Sequence, residues 1–387
     1  MNKISLVRDT IDSNDINLLI EWLKTNPILT KNKVTIEFEE KFSKYQGRKY
    51  SVYVNSGSSA NLAMIYSLLV SGKLKNKNII LPAVSWTTTV TPIIQFGLNP
   101  ILCECDKDTL GLDIDDLKKL IQENKPSVVM LVHVLGFPNK MKEIQELCDQ
   151  NDIILLEDSC ESLGSMYNGI KTGSFGLMSS FSFYFGHHIS TIEGGMVCTD
   201  DFDLYNILKS IRAHGWDRDL DEPFKSNLKK EFEIDDFKDL YTFYYPGFNL
   251  RSTDLQAFIG IHQLDKLDDI TEKRHFNFLA YNSLIKNDYW KIKKNLGDTF
   301  SSVSNFAYPI IHPNRTKIAE ELKKGNVDCR PLICGSIGSQ PYWIKLYGKQ
   351  SFEFADKVDN YGLYVPNHPD LKFEEIQYIC NIINKNM

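Results

Sequence analysis

Short apolar runs of strand length alternate with amphipathic helical patterns along most of this chain, and few folds accommodate that rhythm. A strand buried on both faces reads as a nearly continuous apolar run, whereas a surface helix repeats its apolar residues every three or four positions. Tyr50–Val54, Ile79–Leu81, Pro100–Cys103, Ser127–Val132 and Ile153–Leu156 are of the first kind. Thr10–Lys24 is of the second, with Ile16, Leu19, Ile20 and Leu23 on one face. Thr35–Tyr45 repeats the pattern through Phe38 and Phe42 and stops at Gly47, Ser58–Val70 follows, and Asp113 is a plausible N-cap for Asp113–Gln122. The alternation predicts an α/β fold with a mainly parallel sheet. Asp219–Asp239 is charged and reads as a surface excursion, and Asp254–Leu267 as a further helix. From about residue 270 onward helices carry isolated strands, so a large domain of residues 1–250 and a smaller α+β domain of 251–387 are expected.

Several functions are disfavoured at this stage. The net charge of −6 comes without a long basic run, which gives no handle for nucleic acid or an anionic membrane. No apolar run approaches the roughly 18 residues of a membrane span, and MNKISLVRDTIDSNDIN has no signal-peptide core. The eight cysteines form no CxxC pair and no His/Cys cluster of metal spacing, so no metal site and a cytoplasmic location are expected.

Three segments carry chemistry. Ser56-Gly57-Ser58-Ser59 joins a strand to a helix, where free N–H groups suit either a phosphate or a simple N-cap turn. Asp158, in Leu155-Leu156-Glu157-Asp158-Ser159-Cys160-Glu161, falls at the carboxyl end of a strand, the edge where open α/β sheets bind ligands. A carboxylate there can keep a pyridine nitrogen protonated, and a helix cap is the plain alternative. The third segment runs from Phe181 to Gly195 and ends in Glu193-Gly194-Gly195.

In this order, and with Arg212-Ala213-His214-Gly215-Trp216 and Gly247–Ala257 following, these segments resemble the sugar aminotransferases of the DegT/DnrJ/EryC1/StrS family. That resemblance spans most of the chain and implies the fold type I, aspartate aminotransferase-like architecture of enzymes that use pyridoxal phosphate (PLP). The family places a serine, a lysine five residues later, and Glu-Gly-Gly six residues after that. Here Ser182, His187 and Glu193 keep both spacings, so a histidine stands where the lysine belongs. No lysine lies between Lys171 and Lys209 to restore it by a slipped alignment. Histidine in that slot is similar to the sugar 3-dehydratases of the family. One type acts on GDP-linked 4-keto-6-deoxy sugars; another acts on CDP-linked sugars and carries an iron–sulfur cluster. The wide spacing of the cysteines after Cys198 disfavours the clustered type.

By the same resemblance, Gly57, Ser58 and Ser182 bind the cofactor phosphate, Trp86 stacks on its ring, and Asp158 meets its nitrogen. Asn249 reaches the phosphate of a partner subunit in a homodimer with shared active sites. Glu161, His214 and Arg330 are candidate substrate contacts, Arg330 for the nucleotide diphosphate; a buried ion pair or a surface salt bridge would explain these residues equally well. His187 becomes the proton-transfer base, and L-glutamate the amine donor that regenerates pyridoxamine phosphate (PMP). The alternatives are a sugar 4-aminotransferase with unusual proton transfer, a 3-dehydratase for a CDP-linked or heptose substrate, and a non-catalytic subunit. Without the lysine the cofactor is held non-covalently. Borohydride treatment followed by peptide mapping is therefore expected to recover no lysine joined to the cofactor; one such peptide would overturn the register.

Overall fold

The computed structural model describes residues 3–292 and 301–387. Its centre is a seven-stranded sheet of β1 (Tyr50–Val54), β2 (Asn78–Pro82), β3 (Asn99–Cys103), β4 (Val128–Val132), β5 (Ile154–Asp158), β6 (Met178–Ser182) and β7 (Gly195–Thr199). The spatial order is β3-β2-β4-β5-β6-β7-β1. Strands β3 to β6 pair in parallel, while β7 runs antiparallel to both β6 and β1. Two reversals restore direction, so β1 points the same way as β6. The carboxyl ends of β1, β5 and β6 thus share one edge with the start of β7, where Ser182 and Val54 are each in register with Gly195. Gly195 permits this junction, because a Cβ there would lie 2.3 Å from the carbonyl oxygen of Ser56.

A second, antiparallel sheet joins β8 (Tyr308–Ile311), β9 (Arg330–Pro331) and β10 (Gly362–Val365) in the order β8-β10-β9. Helices Leu267–Leu284, Arg315–Lys324 and Phe373–Asn386 pack together with this part of the chain. Helix Asp254–Leu264 instead lies along Lys33–Gln46, and the Asp254 carboxylate accepts from the backbone N–H groups of Asn32, Val34 and Thr35. The mixed, mostly parallel sheet agrees with the expected α/β class.

Some local expectations need correction. The first helix is shorter than expected, Ser13–Leu23, capped by Asp12, and Ile16 and Ile20 of its apolar face are 45% and 46% exposed. These two residues face outward, while Leu19 and Leu23 of the same face are half-buried. Asp158 closes β5 rather than following it, and no helix starts there, so it is not an N-cap. Asp113 does cap its helix, accepting from Asp115 and Asp116. The 219–239 excursion forms a short helix, Phe224–Glu231, with no buried residue.

Successive residues on a strand face opposite sides, so Glu157 points away from the ligand edge that Asp158 faces. Fully buried, Glu157 accepts from the N–H groups of Gly173, Phe175 and Gly176 at 2.7 Å each and contacts His133 Nε2 at 3.0 Å. Burial raises its pKa, but His133 and these N–H groups outweigh it and leave the carboxyl below its usual range. A depressed carboxyl stabilises the fold above its unfolded pKa, and that contribution is lost as pH falls through the folded value. Glu157→Gln, which turns an amide toward these donors, is expected to lower stability by about 3–5 kcal/mol in urea titrations and to flatten the acid limb of stability against pH.

Candidate active site

The ligand edge of the large sheet opens into a cavity of about 520 Å³, bounded on its far side by the smaller sheet. Gly57, Ser58, Trp86, Asp158, Glu161, Ser182, His187 and Arg330 all line it. At one end, Ser56 caps helix Gly57–Val70 by accepting from the Ser59 N–H at 3.0 Å. The Gly57 and Ser58 amides begin that helix and have no intrahelical acceptor, which makes the turn a natural oxyanion cradle. Its floor is close: a Cβ on Gly57 would lie 2.7 Å from Ser182 Cβ and 2.9 Å from Cys160 Sγ. The Ser56–Ser59 segment is thus both an N-cap and a geometry suited to phosphate.

Asp158 is held rigidly. Its Oδ2 accepts from Asn61 Nδ2 at 2.7 Å and from Thr89 Oγ1 at 2.8 Å, and its Oδ1 accepts from the Cys160 N–H at 3.1 Å. Ser180 Oγ in turn donates to Asn61 Oδ1 at 2.6 Å. Trp86 is 52% exposed and sits on the cavity wall instead of in the core. Neither Asn61 nor Thr89 was singled out in the sequence. Asn61 lies one helical turn beyond Gly57, so the i, i+4 relation offered a signal; Thr89 offered none.

His187 is partly buried between Phe306 and Tyr184, with ring centroids 5.1 and 6.3 Å away. Its Nδ1 lies 2.6 Å from the Cys160 carbonyl oxygen. A carbonyl only accepts, so Nδ1 carries the hydrogen and Nε2 is left as the proton acceptor. Burial pulls the imidazole below its ordinary pKa, aided by the Arg274 cation and opposed by the Cys160 hydrogen bond and the Asp158 charge. The ring is therefore neutral and basic at physiological pH. His188 is fully buried and bonds through Nε2 to the Ser304 carbonyl, outside the set of cavity-lining residues.

Glu161 is nearly buried, and its Oε2 accepts from the Leu135 N–H at 2.6 Å. Leu135 adopts φ 52°, a left-handed conformation uncommon for leucine, in making that contact. Burial pushes the Glu161 carboxyl up to about 8; the Leu135 N–H opposes the rise and the Asp158 charge adds to it. Among the lining residues Arg330 is the one permanent cation, and none is a lysine.

Two predicted site residues lie elsewhere. Asn249 lines a separate cavity of about 640 Å³ with Thr30, Lys31, Trp216, Arg218 and Arg251. His214 is exposed beside it, with Nε2 at 3.3 Å from Arg251 Nη2. Within one chain these two do not meet His187.

The Gly57 cradle gives a direct test. Gly57→Ala is expected to displace the helix start from Ser182 and Cys160, costing about 1–3 kcal/mol of stability. Affinity for a phosphate-bearing cofactor should fall at least tenfold, about 1.4 kcal/mol, in a fluorescence titration.

Comparisons with known proteins identify the family and the fold. The sequence profile of the DegT/DnrJ/EryC1/StrS aminotransferase family matches residues 9–384. GDP-4-keto-6-deoxy-D-mannose 3-dehydratase of Yersinia pseudotuberculosis is 36% identical, covering 100% of this chain and 99% of its own. The Escherichia coli GDP-4-keto-6-deoxy-D-mannose-3-dehydratase, solved with hydrated PLP, superposes with a TM-score of 0.88 at 33% identity over 99% of each chain. A GDP-4-keto-6-deoxymannose-3-dehydratase with a trapped PLP-glutamate geminal diamine has the same TM-score and identity, covering 98% of this chain and 100% of that one. The chain is a member of the DegT/DnrJ/EryC1/StrS aminotransferase family.

Proposed function

We propose that this chain is a PLP/PMP-dependent nucleotide-sugar 3-dehydratase that removes the C3 hydroxyl of GDP-4-keto-6-deoxy-D-mannose, with L-glutamate as amine donor. The observation that carries this reading is His187, a neutral base on the cavity wall at the position of the family's lysine. The residues fit the cofactor: the free Gly57 and Ser58 amides at the helix start suit phosphate oxygens, the absence of a Cβ at Gly57 lets that turn lie against Ser182 and Cys160, and Asp158 offers a buried, oriented carboxylate on the same cavity. Bound there, the cofactor supplies an amine for the sugar's C4 ketone and a ring that accepts an electron pair.

The chain's own residues do the rest. Gly57, Ser58 and Ser182 hold the phosphate, Trp86 covers the ring, and Asp158 keeps its nitrogen protonated. His187 Nε2 takes a proton from the cofactor's C4′ carbon, while Nδ1 stays anchored on the Cys160 carbonyl. An imidazole anchored this way has less reach than a lysine side chain, so it does not carry the proton on to sugar C4, and loss of the C3 hydroxyl replaces transamination. Arg330 takes the diphosphate. Asn249, remote from its own chain's His187, serves the phosphate site of a second subunit, which makes the working unit a homodimer. No helix among the described residues is long and apolar enough to cross a membrane. All eight cysteines are free thiols, in keeping with a cytoplasmic enzyme.

Mass spectrometry of the product distinguishes a 3-deoxy-4-keto sugar from an amino sugar; an amino sugar from the unmodified enzyme would overturn the dehydratase reading. His187→Asn is expected to slow dehydration by about 100- to 10,000-fold with the fold retained, the usual contribution of a general base. His188→Asn, altering a buried hydrogen bond only, is expected to lower thermal stability and leave turnover per folded molecule largely intact.

A further inference from the structure

Removing a hydroxyl needs two proton movements, because hydroxide is a poor leaving group. One proton leaves carbon and one must arrive on the departing oxygen. His187 has a single free nitrogen, and its other nitrogen is committed to the Cys160 carbonyl. A second group is needed unless the same nitrogen both collects and delivers.

The cavity wall offers few donors. Asp158 already accepts three hydrogen bonds and serves as an anion. Burial and the Asp158 charge push the Cys160 thiol far above its usual range, and burial with Glu161 nearby pushes Tyr364 up to about 12. Glu161 differs in geometry. It is nearly buried, no cation pairs with it among the described residues, and one oxygen is tethered to the Leu135 N–H. Its other oxygen has no protein partner among the described residues, and the side chain lines the cavity.

Its position is informative as well. Glu161, Tyr364 and Arg330 line the same cavity, and Tyr364 feels the charges of both Glu161 and Arg330. His187 and Asp158 line the same cavity, and His187 feels the Asp158 charge. A sugar held in this cavity, with a ring on Asp158 and a diphosphate on Arg330, shares the wall that Glu161 lines. The charged and titratable groups that share the cavity wall with Glu161 or feel its charge include Asp158, Cys160, His187, Arg330, Cys334 and Tyr364, and the Asp158 charge favours its protonated form.

We propose that Glu161 is the general acid of the dehydration, its carboxyl O–H delivering the proton with which the C3 hydroxyl leaves as water. This rests on the dehydratase reading above. The C3–O bond breaks and a new O–H bond forms. The expelling electron pair originates in the C–H bond that His187 opens and travels through the bound cofactor. The two electrons the sugar gains are restored by oxidation of glutamate. Glu161, left as carboxylate, regains its proton from solvent.

Glu161→Gln keeps an acceptor for Leu135 and removes the transferable proton. With the holoenzyme, GDP-4-keto-6-deoxy-D-mannose and deuterated water, exchange of the cofactor's C4′ hydrogen should persist while water loss slows by about 100- to 10,000-fold. Calorimetric affinity for the nucleotide sugar should change little. In the unmodified enzyme, dehydration should fall as pH rises through about 8, where the acid is lost, while exchange continues. The alkaline limb should be missing from the residual activity of Glu161→Gln. Difference infrared spectra of the cofactor-free protein across the same pH range should lose one protonated carboxyl band, absent in the variant. If exchange and dehydration fall together, or only substrate affinity falls, Glu161 is a positioning or binding residue and the proposal fails. Unchanged dehydration would assign both transfers to His187 and also defeat it. If Glu161→Gln does not fold, the pH separation of exchange from dehydration in the unmodified enzyme decides the matter alone. An unmodified enzyme that makes amino sugar would instead remove the dehydratase reading itself.

Discussion

The short contact between His187 Nδ1 and the Cys160 carbonyl sets most of what this site can do. It selects one tautomer, orients the ring, and directs the basic nitrogen into the cavity. Cys160 is two residues past Asp158 and its own N–H bonds back to that carboxylate, so base and ring anchor hang from one turn. A lysine at position 187 would have brought a flexible amine and a covalent tether. The histidine brings a fixed base and leaves the cofactor untethered.

Arg274 supports this arrangement from behind. Only 2% exposed, it forms no ion pair among the described residues; its guanidinium donates to the carbonyls of Asn305, Phe306, Asn367 and His187. Burial lowers it to about 10, which still leaves it charged at neutral pH. Carbonyl dipoles in place of a carboxylate stabilise the cation and leave its field only partly cancelled, and that field helps keep His187 and His188 neutral. The same four hydrogen bonds tie the histidine loop to the segment just before β8 and to the one just beyond β10. The smaller sheet thereby holds the base as well as closing the cavity.

Much of this was legible beforehand for identifiable reasons. Strands β2 to β5 are buried on both faces, so their apolar runs are nearly uninterrupted. Gly57, Asp158, Ser182 and His187 sit at strand ends, where spacing in sequence maps onto one edge of the sheet. Amphipathicity placed the first helix but reports an apolar face without saying what covers it; Ile16 and Ile20 are exposed within the chain. Asp158 proved to be the last residue of β5 because its pairing with Ser180 extends the ladder past the apolar run. Thr89, Leu135 and Arg274 were invisible, since each acts through a partner 69, 26 or 87 positions away that no local pattern announces.

The sequence by itself determined the α/β alternation, the order of the ligand-binding segments, and the replacement of a lysine by His187. These are properties of neighbours along the chain, where periodicity and spacing translate directly into strand ends and turns. Only the tertiary structure decided which nitrogen of His187 is the base and that His188 is internal scaffolding. It also separated Asn249 and His214 from the cavity and left Glu161 buried with no paired cation among the described residues. Protonation depends on desolvation and on charges that long-range packing brings within a few ångströms, and a linear sequence does not record those distances.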